Sequence, residues 1–124
     1  MEFALVAPLL IVLLFGMIDF GWALNRYTVL NNAAREGVRA ARLGSSEDEV
    51  EQVVQDYLGD LDGVDVTVSC TRANGTSCPS WDSAASSGGT ALVTVTYDHT
   101  WLTFVGPTIT DELHMEKSSK MRIE

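Results

Sequence analysis

Apolar residues run almost without interruption from Phe3 to Leu24, FALVAPLLIVLLFGMIDFGWAL, with Asp19 as the single charge. As an α-helix, 22 residues would extend about 33 Å, enough to cross a bilayer core of about 30 Å. A cleavable signal peptide is the competing reading. Such a peptide carries a basic start, a shorter apolar core and a small-residue cleavage site, and residues 1–24 show none of these.

The pattern changes without breaking after residue 24. Tyr27, Leu30, Ala34, Val38 and Ala41 recur every three or four positions, which predicts that the helix continues with one apolar face, while Arg35, Arg39 and Arg42 occupy another. Gly44 suits a helix end. Ser46 and Glu49 then have the spacing of a capping box, and Val50, Val53, Val54, Tyr57, Leu58 and Leu61 make the stripe of a second, amphipathic helix from about Ser46 to Leu58.

Beyond Gly59 the period falls to two. Val64, Val66, Val68 and Cys70 alternate with polar residues, as do Val93, Val95 and Tyr97, and Leu113 and Met115 alternate with Glu112, His114 and Glu116. Each reads as a half-buried strand, the last spanning about Glu112 to Arg122. The expected fold is α+β: a long N-terminal hydrophobic helix, a second helix, and a small antiparallel sheet covered on one face by helix. The chain divides into a membrane or assembly helix (1–24), its amphipathic continuation (25–44) and a small soluble domain (45–124). Residues 71–90, rich in Ser, Gly and Asn, read as a long mobile loop within that domain.

Charge narrows the partners. The net charge is −9, and residues 45–65 carry eight acids with no Lys or Arg, a surface that excludes nucleic acid as a partner class. Residues 25–43 carry four Arg against Glu36 alone. Contact between this basic segment and the acidic one of another copy is one reading, and two ordinary solvated faces is the other.

The four Arg residues follow the apolar run, which on the positive-inside rule would place the C-terminal part in the cytoplasm. Cys70 and Cys78 flank a short turn-forming stretch and suit a disulfide in an oxidising compartment. The two signals agree if basic residues precede Met1 in the natural chain, so Met1 is expected not to be its true start. A bridge between the cysteines would stabilise the domain by about 2 to 3 kcal/mol.

Candidate chemistry is sparse. His99 and His114 are the only histidines, and the sequence has neither metal-ligand spacing nor a phosphate-binding glycine loop. Asp98-His99 resembles an acid–base pair but lacks a nucleophile or orienting group, so neither an enzyme nor a cofactor is expected. Asn74-Gly75-Thr76 fits a glycosylation sequon, although a turn explains it equally well. Trp81, in the polar loop, is either a surface-binding residue or an aromatic folded back onto the domain.

In the apolar run, Asp19 reads as a charge-paired contact with another chain or as an interfacial residue beside Trp22 and Tyr27. Glu2 would complement the N-terminus of its helix, Pro8 removes one backbone donor, and Gly16 and Gly21 offer surfaces for close helix approach.

Three segments together resemble the TadE-like family, pseudopilins of Tad (tight adherence) pilus systems. They are Glu2-Phe3-Ala4-Leu5 with Pro8 and the Leu-rich run, Phe15-Gly16-Met17-Ile18-Asp19-Phe20-Gly21, and Asn32-Ala33-Ala34-Arg35-Glu36-Gly37-Val38-Arg39-Ala40-Ala41. The terminal Ser118-Ser119-Lys120-Met121-Arg122 is also similar to the family's usual ending. The resemblance implies a structural subunit, a pilin or minor pseudopilin, that passes from the inner membrane into an extracellular pilus. Its partners would be other copies or other pilins, the membrane-embedded assembly machinery, and a prepilin peptidase acting on an upstream leader. Glu2 would match the glutamate that recruits the next subunit by pairing with its N-terminal amine. In the family that glutamate follows the cut glycine by five residues, whereas here it is residue 2. The alternative from another class is a monomeric, membrane-anchored extracytoplasmic binding module that presents residues 71–90.

Overall fold

The computed structural model describes residues 3–81 and 88–124. Helix α1 (Phe3–Arg42) is unbroken over 40 residues, including Pro8, and is about 60 Å long. It stops where the Ser45 N–H donates to the Ala40 carbonyl around Gly44.

Helix α2 (Glu47–Leu58) follows directly. Its start is fixed locally: the Glu49 N–H donates to the Ser46 hydroxyl, and the Ser46 N–H donates to the Glu49 carboxylate at 2.9 Å. Three acids in its first turn complement the positive end of the helix dipole.

Strands β1 (Val64–Thr71), β2 (Thr90–His99) and β3 (Leu113–Arg122) form one antiparallel sheet in the order β1-β2-β3. The register sets Val66 opposite Val95, Val68 opposite Val93, and Tyr97 opposite Met115. One face thereby collects the strands' apolar positions. The C-terminal half of α1 and the stripe of α2 cover this face, burying Leu30, Ala34, Val38, Val50, Val54, Val93 and Val95.

The α1 residues expected to face the core do so, apart from Tyr27, which is exposed. On the stripe of α2, Tyr57 is also exposed. Lys117 of β3 places its ammonium 4.2 Å from the Tyr27 ring centre, and Arg26 lies 4.3 Å from that of Trp22. Each ring therefore carries a cation at the level where the apolar run ends.

The segment after β1 is fastened near its base. Thr71 bridges to Ser77, Arg72 and Thr76 close the Asn74-Gly75 turn, and Cys70 is bonded to Cys78 across a Cα separation of 5.5 Å. Residues 82–87 of the segment expected to be a loop, among them Ser86 and Ser87, lie outside the described residues.

Candidate functional site

The sequence singles out the apolar half of α1, and the structure leaves the first part of it clear of the domain. Residues 3–14 are exposed apart from half-buried Ala7. Nothing lies within 4 Å of a Cβ built at Gly16 or Gly21, so both small surfaces are open. Phe3 and Pro8 stand on this bare stretch, and Glu2 lies outside the described residues. The helix is long and apolar enough to cross a membrane.

Asp19, read from the sequence as a contact with another chain or as an interfacial residue, is placed by the structure against its own β2–β3 connection. It is 3 % exposed, and its carboxylate is occupied by its own chain. Oδ1 accepts the N–H groups of Leu102 (3.2 Å) and Thr103 (3.0 Å), while Oδ2 accepts the Gly106 N–H (3.1 Å) and the Thr103 hydroxyl. The β2–β3 connection thus wraps one side chain of α1. A cluster of N–H groups around a carboxylate gives the short, charge-assisted hydrogen bonds that make a buried acid tolerable.

The loop braces itself around this anchor. The Trp101 indole N–H donates to the Thr110 carbonyl at 2.8 Å, closing the two legs, and Phe104 packs edge-on against Phe15 at 5.5 Å. Gly106, which begins a short 3-10 turn (Gly106–Thr108), sits against Trp101 so closely that a Cβ would fall 2.3 Å from the ring. Glycine allows the backbone to approach both the ring and the carboxylate.

Trp81 also differs from a surface-binding residue. It is 6 % exposed and its indole N–H donates to the Ser45 carbonyl at 2.9 Å, so it fastens the segment after β1 to the α1–α2 turn. This is the folded-back arrangement of the two that the sequence left open.

Asp98 and His99 point to opposite faces of β2, as adjacent strand residues must. Asp98 instead meets His114 across the exposed face at 2.6 Å. His99 is fully buried beside Trp101, with no partner for either ring nitrogen among the described residues. Burial pushes its pKa below the ordinary value and the Arg26 charge adds to this, while Asp19 opposes it. The imidazole is therefore held neutral, and lowering the pH must charge a buried group.

The sign follows from linkage. With the folded value depressed, the domain keeps the full benefit above pH 6.5 and loses stability as the pH falls through the folded value. His114, raised by its hydrogen bond to Asp98 and by that charge, acts in the opposite sense on an exposed face. Its contribution is present below 6.5 and fades at higher pH. His99→Phe should reduce the loss of thermal stability between pH 7.5 and pH 5 relative to the parent chain, as read by melting the full chain in detergent. An unchanged pH slope would show that His99 does not carry the acid sensitivity.

No group of three or more possible metal ligands occurs among the described residues. A family model described as TadE-like protein matches residues 1–39. No curated protein and no solved structure matches the chain. The match makes the part of the chain that forms most of α1 similar to TadE-like proteins.

Proposed function

We propose that this chain is a structural subunit of a Tad-type pilus, a pilin or minor pseudopilin used in surface attachment. Its apolar half-helix is held first in the inner membrane, with the domain on the extracytoplasmic side, and afterwards among parallel helices of a filament. The observation that carries this reading is the bare surface of α1. From Phe3 to Ile18 the large apolar side chains other than Phe15 stand uncovered, including Leu5, Leu9, Leu13 and Met17. Lipid can cover that surface, and so can neighbouring helices of the same kind, which makes transfer from one to the other energetically feasible.

Other copies or other pilins are the partners along this helix, with the assembly machinery and a prepilin peptidase acting before it. Glu2, Phe3 and Pro8 belong to the contact surface, and Glu2 pairs with the N-terminal amine of a neighbour. Glu2→Ala should leave the chain in the membrane fraction and reduce the amount recovered in sheared surface filaments. A mutant that piliates normally would remove Glu2 from assembly.

A further inference from the structure

We propose that residues 100–110 of the β2–β3 connection are a second membrane contact. It lies beside α1 and sets Leu102, Phe104 and Ile109 among the acyl chains of the leaflet that holds the C-terminal end of the apolar run. The inference rests on reading residues 3–24 as a membrane span.

Its depth comes first. The loop is bound to Asp19 and reaches Phe15. Trp22 and Tyr27, each with its cation, mark the polar boundary of α1, as aromatic and basic side chains do at membrane interfaces. Phe15 precedes Trp22 by seven residues, which is about 10 Å along the axis on the lipid side. A loop touching Phe15 therefore hangs below the interface.

Its composition suits that position. No charged residue occurs from Thr100 to Thr110, while Leu102 is 61 %, Phe104 63 % and Ile109 76 % exposed. Three large apolar side chains turned outward from one short loop would be costly in water.

Backbone chemistry is the strictest requirement, because an N–H with no partner costs several kcal/mol in hydrocarbon. Asp19 accepts those of Leu102, Thr103 and Gly106, and the Thr103 hydroxyl accepts that of Val105. Those of Thr108, Ile109 and Thr110 are taken by loop carbonyls, and Pro107 has none to place. Seven of the eight N–H groups between Leu102 and Thr110 thus find acceptors inside the protein while apolar side chains face out. An acid that would be expensive at this depth supplies the acceptors that let the loop enter.

The test uses the full chain in phosphatidylcholine–phosphatidylglycerol vesicles with the Cys70–Cys78 bridge intact. Nitroxide labels are placed singly at Leu102→Cys or Ile109→Cys, with Leu13→Cys on the bare helix and Ser118→Cys on the exposed sheet face as references. Collision with oxygen and with a water-soluble nickel chelate is then read at each site. Both loop sites should lose the nickel collisions seen at residue 118 and keep the oxygen collisions seen at residue 13. Water-like loop sites with residue 13 in lipid would overturn the loop contact alone. Water-like behaviour at residue 13 as well would overturn the membrane span and the loop contact with it. Loop labels shielded from both reagents and broadened by nearby labels would show that another copy, not lipid, covers them, which also overturns the proposal.

Discussion

Asp19→Ala should release residues 100–111 from α1 while leaving the sheet and both helices in place. The substitution removes the common acceptor of three backbone N–H groups and one hydroxyl. Hydrogen bonds to a charged acceptor contribute about 1.5 to 3 kcal/mol each, and water reached after release compensates in part, so the net cost of opening the loop falls by about 3 kcal/mol. Amide exchange at Leu102, Thr103 and Gly106 should then accelerate about a hundredfold, since a tenfold change corresponds to about 1.4 kcal/mol. Amides of β2 and β3 are held by a ten-pair register that does not involve Asp19 and should change little. Asp19→Asn separates the two oxygens. An amide oxygen can still serve Leu102 and Thr103, but its NH2 would face the Gly106 N–H, donor against donor. Protection should therefore persist at Leu102 and Thr103 and fail at Gly106. Equal exchange in parent and Ala variant would mean that the loop is held by its own apolar contacts.

What the sequence revealed and what it hid differ by the distance over which each feature is decided. The capping box of Ser46 and Glu49 joins residues three apart, and strand alternation repeats every second residue, so both could be read directly. The anchor of the loop joins residues 83 to 87 positions apart, and no periodicity records such a pairing. Its only trace was an acid in an apolar run together with a charge-free stretch near Gly106. Trp81 was equally undecidable, because its acceptor is a main-chain carbonyl at Ser45, which any residue there would supply. Asp98-His99, set aside as an acid–base pair for want of a third group, is also excluded by geometry: adjacency in a strand separates side chains, and the partner of Asp98 comes from β3. The role assigned to Glu2 rests on resemblance, since that residue lies outside the described ones.

Gly37→Leu should be the most damaging single change in the domain. At Gly37 α1 packs against both α2 and β2: a Cβ built there lies 2.4 Å from Cγ2 of Val54 and 3.2 Å from Cγ1 of Val93. Both valines are fully buried and β-branched, so they have little freedom to turn aside. Adding one carbon should already cost about 1 to 3 kcal/mol in overpacking, against about 1 kcal/mol gained when alanine replaces glycine inside a helix. Gly37→Ala should therefore be mildly destabilising, by about 1 kcal/mol. Leucine has no such offset, and forcing α1 away from the sheet should cost at least about 3 kcal/mol, lowering the melting temperature by roughly 12 °C or more in a domain of this size. Val54→Ala supplies the check, because it removes the atom that the new Cβ would meet. Alone it should cost about 2 kcal/mol through the cavity it leaves. Combined with Gly37→Ala, the loss should be smaller than the sum of the two by about 0.5 to 3 kcal/mol, the range measured for residues in contact. Strict additivity in that cycle, read by denaturant melts of the full chain in detergent, would show that α1 and α2 do not touch at this point. The crossing of α1 over the core would then have to be drawn differently.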